Sequence, residues 1–160
     1  MTKLVTFGTR FASSARQFLR KLKRHPMQLT MTGEYAVRAM THVASLPKDA
    51  IVQIPNISRE WDIPEKFLRK IIAKLTKGGL LLSHRGAGGG VSLARAARKI
   101  TLLDVIELVE GPLALNKCLI NPRFCRRTNS CAVHVVWCEA QTAMRCILNS
   151  RTLAELTAPQ

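Results

Sequence analysis

Cys118, Cys125, Cys131 and His134 place three thiols and an imidazole within 17 residues, spaced Cys-x6-Cys-x5-Cys-x2-His. Thiolates suit iron–sulfur clusters and zinc, and imidazole suits zinc and iron. Lys117, Arg123, Arg126 and Arg127 lie among these donors. Positive charge favours the thiolate form that binds metal. Asn121-Pro122 and Asn129-Ser130 are turn formers that let the chain fold back around one centre. The chain has five cysteines, an odd number, and shows no secretory signal, so a disulfide framework is not expected. Two chemistries fit the spacing. One is a structural zinc site resembling a Cys-Cys-Cys-His finger, off by one or two residues in two of its gaps, which would suit RNA. The other is an iron–sulfur cluster with three thiolate ligands and one different ligand. A non-thiolate ligand makes a cluster more labile, as a sensor requires. Cys138 and Cys146 fall outside this spacing and read as small apolar fillers of a helix face.

The elements around these donors follow from periodicity. Thr30 or Thr32 can cap a helix that carries Tyr35, Ala36, Ala39, Met40 and Val43 on one face and stops before Pro47. Ile51 to Gln53 is at best a short strand. A second short helix opens near Pro55 and includes Ser58 to Trp61. After a turn at Asp62-Ile63, Pro64 takes the first position of a third helix. There Phe67, Leu68, Ile71, Ile72 and Leu75 form the apolar stripe, with Lys66, Arg69, Lys70, Lys74 and Lys77 opposite. Gly78-Gly79 ends it. Two short helices joined by a tight turn, the second basic, make a helix-turn-helix. An ordinary amphipathic helix with a solvated lysine face explains this stretch alone equally well.

Residues 80–93 separate the two readings. Leu80 to His84 and Val91 to Leu93 read as two strands around the glycine-rich turn Arg85 to Gly90. A basic hairpin after a helix-turn-helix is a wing. The glycines lack the lysine and hydroxyl of a nucleotide-binding P-loop. A fourth helix spans about Leu102 to Val109, capped by Thr101 and ended by Gly111-Pro112. Leu113 to Ser130 is irregular. Cys131 to about Asn149 is helical again, apolar over a broad face, with few charges. Such a helix fits a second copy of itself in a two-fold dimer; the alternative is that it packs back on its own winged helix. The expected fold is therefore mainly α with a small β wing: a winged helix-turn-helix plus a long C-terminal dimerisation helix. The expected segments are a basic extension over 1–26, a DNA-binding domain over 27–112, a cysteine loop over 113–133, a dimerisation helix over 131–150 and a tail over 151–160.

Charge supports a polyanionic partner. The net charge is +15, and residues 1–26 hold seven Lys/Arg and no acid. Without them 18 − 10 leaves +8. Nine Lys/Arg and one acid lie between Pro64 and Ile100, and then the sign reverses at Asp104, Glu107 and Glu110. A localised basic face of this kind favours nucleic acid. Residues 1–26 have the composition of an organelle transit peptide. A basic arm, or a start codon upstream of Met27, accounts for them more simply. No stretch reaches the roughly 20 apolar residues that cross a bilayer, so no membrane role and a cytoplasmic location are expected. No serine–histidine–aspartate order, carboxylate pair or cofactor motif suggests an enzyme.

From Met27 to about Leu156 the chain resembles the winged-helix regulators that include the iron–sulfur cluster regulator IscR and the nitric-oxide-sensitive repressor NsrR. The resemblance rests on Met27 to Thr30 with Glu34 to Arg38, Ile63 to Leu68, Arg85 to Gly90 with Leu93-Ala94, Ile100 to Ile106, Glu110 to Pro112 and Thr152 to Leu156. It implies a homodimer on a palindromic operator. It also implies a cluster, 2Fe-2S or 4Fe-4S, held by Cys118, Cys125 and Cys131 and read by oxidation, loss or nitrosylation. His134 stands where one branch has its fourth ligand. Glu34 stands where other branches use an acid from the partner subunit. The first cysteine gap is one residue longer than the family's common five.

The expected mechanism puts Lys66, Arg69 and Lys70 in a major groove, with Arg69 bidentate to guanine. Lys74, Lys77 and Arg59 neutralise phosphate, and Arg85 on the wing reaches the flanking minor groove. Half-sites lie about 34–36 Å apart. Release of residues 113–131 shifts the dimer helices and so the recognition helices. Repression is the default outcome. The competing readings are a cluster-free regulator switched by thiol oxidation and a zinc-binding nucleic-acid-binding protein.

Overall fold

A computed structural model describes residues 28–158 except Ala87; the basic extension over 1–26 lies outside the described residues. Helix α1 (Met31–Ser45) starts at Thr30, whose hydroxyl accepts from Thr32 N at 3.1 Å. Of the two candidate caps, Thr30 is the one used. Leu46, just before Pro47, is extended and ends the helix. Helix α2 (Ile54–Glu60) and helix α3 (Glu65–Lys77) form the helix-turn-helix. Asp62 turns the chain at a φ of 50°, and Ser58 holds the turn from both sides. Its hydroxyl donates to Ile63 O at 2.6 Å and its carbonyl accepts from Ile63 N at 3.0 Å. Pro64 is the cap of α3 rather than its first residue, because its ψ of 120° is not helical.

Helix α3 buries Leu68, Ile71, Ile72 and Leu75, with Phe67 half-buried. Its C-terminus closes with Gly79 at a φ of 72° and Leu80 N donating to Leu75 O at 2.9 Å. A left-handed residue there satisfies carbonyls that the helix cannot. Strands β1 (Leu81–His84) and β2 (Gly90–Leu93) pair antiparallel, Leu81 opposite Leu93 and His84 opposite Gly90. Val52 adds a single bridge on the other side of β2, exchanging bonds of 2.9 and 2.8 Å with Val91. The short apolar run at 51–53 thus contributes one residue of pairing, not a strand. A Cβ on Gly90 would stand 2.3 Å from Val52 O. Gly90→Ala should therefore force the wing off Val52, at about 1–3 kcal/mol. A denaturation midpoint equal to that of Gly88→Ala, whose Cβ meets nothing within 4 Å, would contradict this.

Helix α4 (Leu102–Glu110) begins in a reciprocal cap, with Asp104 N donating to Thr101 Oγ1 and Thr101 N donating to Asp104 Oδ2. It packs across α1 and α3. The chain then leaves this body. A one-turn helix α5 (Lys117–Ile120) and two 3-10 turns, Pro122–Phe124 and Thr128–Ser130, occupy the stretch expected to be irregular. Helix α6 (Ala132–Asn149) comes next, and none of its 18 residues is buried. The last helix, α7 (Leu153–Leu156), returns to the body. Leu102 N donates to Arg151 O and Leu153 N to Ile100 O, and Leu153 is fully buried. The hydrophobic core runs from Ala36 to Val109 and then skips to Leu153. The C-terminal segment is therefore a clasp on the winged helix, and residues 113–150 are an excursion outside its core. No described helix is long and apolar enough to cross a membrane.

Candidate nucleic-acid interface and cysteine loop

The basic face stands on α2, α3 and the wing. Arg59, Lys66, Arg69, Lys70, Lys74, Lys77 and Arg85 are all exposed. The apolar stripe of α3 is pinned in the core, so its opposite side must face outward. Two arginines are held by neighbours on their own helices. Arg69 donates from Nε and Nη2 to Glu65 Oε1 at 2.8 and 2.6 Å, and Arg59 donates to Asn56 Oδ1 at 2.6 Å. Lys74 reaches back to Val109 O at 3.5 Å, which ties the end of α3 to α4. Arg85 opens the wing turn, where Gly86 takes a φ of 106° and Gly89 N donates to Gly86 O.

The cysteine donors sit on three successive elements. Cys118 is in α5, Cys125 closes the first 3-10 turn and Cys131 caps α6. All three are free and half-buried. The Thr128 hydroxyl donates to Cys125 O at 2.8 Å, and backbone bonds within 116–130 complete a locally folded loop. In kind the set fits a thiophilic metal centre: three unpaired thiols, plus an imidazole whose Nδ1 is buried without a partner among the described residues. Yet no group of three or more candidate ligands is gathered among the described residues of one chain. The turns at Asn121-Pro122 and Asn129-Ser130 form, but they do not converge the donors as the spacing suggested, because each nucleates its own short 3-10 turn. His134 Nε2 instead faces Cys138 Sγ at 3.6 Å. Glu34 lies on α1, paired with Arg38.

Sequence reasoning missed the joint between this loop and the body. Glu107 on α4 accepts from Arg145 on α6, at 3.2 Å between Nη2 and Oε2, and from Leu113 N at 2.9 Å. Gln141 on α6 accepts from Leu115 N at 3.2 Å. The Gln141 and Arg145 bonds span 26 and 38 positions, beyond any local pattern. Burial pulls the Glu107 carboxyl upward, but the Arg145 hydrogen bond, the Leu113 amide and the Arg145 charge outweigh it and hold it below the ordinary value. Its contribution is then complete above the unfolded-state value, near 4.3, and is lost as pH falls through the lowered one. Stability should accordingly drop more steeply below about pH 4.3 in the parent than in Glu107→Gln. Parallel denaturation midpoints for the two from pH 7 to 3 would refute the coupling.

The comparisons with known proteins agree with this architecture. The profile of the Rrf2 family, described as iron-dependent transcriptional regulators, matches residues 29–159. The chain is similar to the HTH-type transcriptional regulator IscR of Yersinia pseudotuberculosis, 35% identical over 134 residues, covering 84% of this chain and 81% of that one. Among solved structures it is similar to IscR of T. potens, with a TM-score of 0.64 and 30% identity, covering 82% of this chain and 86% of that one. CymR, the global cysteine regulator of B. subtilis, shares the fold with a TM-score of 0.69 at 24% identity, over 82% and 96% of the two chains.

Proposed function

The chain belongs to the Rrf2 family of DNA-binding transcriptional regulators, and we propose that it is a homodimeric, operator-binding repressor that receives its signal at the cysteine loop. Its relatives are regulators and not enzymes. The observation that carries the reading is the division of the chain. A packed winged helix presents a basic face, and a cysteine-bearing excursion lies outside its core.

The excursion supplies the dimer seam. Val133, Val136, Ala140, Ala143 and Ile147 recur at alternating steps of three and four along α6, and all are exposed. That spacing is a coiled-coil stripe, and small residues at its centre let two helices approach closely. A matching α6 in a second copy covers it. Ala140→Glu, in mid-seam, should give monomers by sedimentation and lose operator binding; a dimeric variant would remove α6 from the interface.

Cys118, Cys125 and Cys131 would hold an iron–sulfur cluster, with His134 or the partner subunit's Glu34 as the fourth ligand. Such a cluster supplies a centre reactive to oxidants and nitric oxide and a clasp across the loop. The chain's own residues carry the rest. Among the described residues, the loop is hydrogen-bonded to α4 through Leu113 and to α6 through Leu115. Drawing the thiols together therefore moves α6 against α4. Since α6 sets the spacing of the two subunits, the recognition helices move with it.

Iron and sulfide analysis of anaerobically purified protein, with operator binding measured before and after exposure to air or nitric oxide, tests this. Stoichiometric iron and sulfide with altered binding is expected. A colourless protein with stoichiometric zinc overturns the cluster. A response that persists in Cys118→Ala assigns sensing to thiol oxidation alone.

A further inference from the structure

Alternate residues of a strand share a face, and so do residues directly opposite each other in a pair. In the wing, Leu81 and Val91 are buried toward the core. Leu82, His84, Gly90 and Ser92 therefore share the outer face, with Leu82 opposite Ser92 and His84 opposite Gly90. Leu82 is exposed there, as an outer residue should be. Ser92 is not: it is 5% exposed and is the one buried polar side chain among the described residues. The His84 ring, half-buried, sets its Nε2 2.8 Å from Ser92 Oγ across the pair. Gly90, with no side chain, leaves the ring room to do so.

That contact fixes where the ring carries its hydrogen. A buried hydroxyl must use its hydrogen. Among the described residues, His84 Nε2 is the hydrogen-bond partner of Ser92 Oγ. Ser92 therefore donates and Nε2 accepts, which leaves the hydrogen of a neutral imidazole on Nδ1. The opposite tautomer would strand the Ser92 hydrogen in a buried site. Nδ1 has no partner among the described residues and is not one of their buried orphaned atoms, so it opens to solvent. It does so beside Arg85, the cation of the wing turn, in a stretch from residue 66 to 103 that contains no acid. An acceptor from outside the protein meets no competing carboxylate of that stretch.

We propose that His84 is a DNA-contacting residue of the wing: its Nδ1–H donates to an operator phosphate beside Arg85, and Ser92 is the positioning residue that holds the ring in the donating tautomer. The inference rests on the operator-binding reading and deepens it. Arg85 supplies charge, while His84 supplies a directed, neutral hydrogen bond. A neutral donor neutralises no phosphate, so its loss should weaken binding without changing the salt dependence.

Operator binding of the full-length chain over a salt series at pH 8, where histidine is ordinarily neutral, tests it. His84→Gln keeps an amide near the Nε2 position for Ser92 but has nothing at Nδ1. It should bind about 3- to 10-fold more weakly per half-site, with the slope of log affinity against log salt unchanged. His84→Asn, whose amide returns an N–H near the Nδ1 position, should recover most of that loss. Replacing single phosphates of each half-site by neutral methylphosphonate should expose one position that weakens the parent but not His84→Gln. Affinity in His84→Gln equal to that of a binding parent overturns the contact alone. A parent that binds no operator overturns the operator reading and the contact with it. The tautomer is read separately, without DNA, from the ring nitrogens of 15N-histidine-labelled protein, with the His84 signals assigned by their loss in His84→Gln. Hydrogen on Nδ1 in the parent, shifting toward Nε2 in Ser92→Ala, is expected. Hydrogen on Nε2 in the parent overturns the role of Ser92, even where Ser92→Ala proves too unstable to compare.

Discussion

Arg69→Ala is expected to weaken operator binding about 5- to 150-fold for each half-site and to relax the preference at one base pair in each, the equivalent of roughly 1–3 kcal/mol per bidentate arginine–guanine pair. The guanidinium is already ordered, since Nε and Nη2 both bond to Glu65 Oε1. An exposed ion pair of this kind contributes only about 0.2–1 kcal/mol. Exchange of Glu65 for a guanine edge therefore favours the DNA. Lys77→Ala and Arg59→Ala should behave differently. Removing a phosphate-binding cation from each of two subunits weakens binding uniformly across sequences and lowers the slope of log affinity against log salt by about two. Gel shifts on matched and single-mismatch duplexes over a salt series separate the two behaviours. Unchanged affinity in both Arg69→Ala and Arg85→Ala would move the docking face elsewhere.

The helix-turn-helix and wing were legible because local rules set them. A stripe at helical spacing, a proline beside a tight turn and a glycine-rich loop between apolar pairs each specify one backbone shape, and α2, α3, β1 and β2 result. The basic side of α3 was equally legible, since burying Leu68, Ile71, Ile72 and Leu75 leaves the lysines nowhere else to go. What escaped were joints between distant residues. Nothing local announces that Val52 pairs with Val91 or that Leu153 closes the core beside Ile100. Nor does it join Arg145 to Glu107. The family resemblance at Thr152 to Leu156 pointed to that segment without saying that it is buried. The Cys138–His134 pair had a signal, the i, i+4 spacing on one helix. Grouping donors by loop spacing alone passed over it. The three loop thiols share a segment in sequence, while in one chain their elements keep them apart.

Cys125→Ser should produce a colourless protein that retains operator binding at or near its signal-treated level and no longer responds to air or nitric oxide. Iron and acid-labile sulfide should fall from stoichiometric to background. Loss of one of three thiolates removes a ligand that serine replaces poorly, since these centres are held by soft sulfur. The change should be almost silent for folding. Cys125 is half-buried on a 3-10 turn, and no described residue between Val109 and Leu153 belongs to the hydrophobic core. Substitutions outside a core and its special features usually move stability by within about 0.5 kcal/mol. Chemical denaturation of the apoproteins should therefore superimpose parent and variant. A matching melt with lost iron isolates sensing from folding. A variant that keeps its iron, or one that unfolds, would contradict a ligand role in a loop that the winged helix does not need for its own stability. Because α4 and α6 are joined at Glu107 and Arg145, the cost of uncoupling should appear in the DNA response before it appears in the melt.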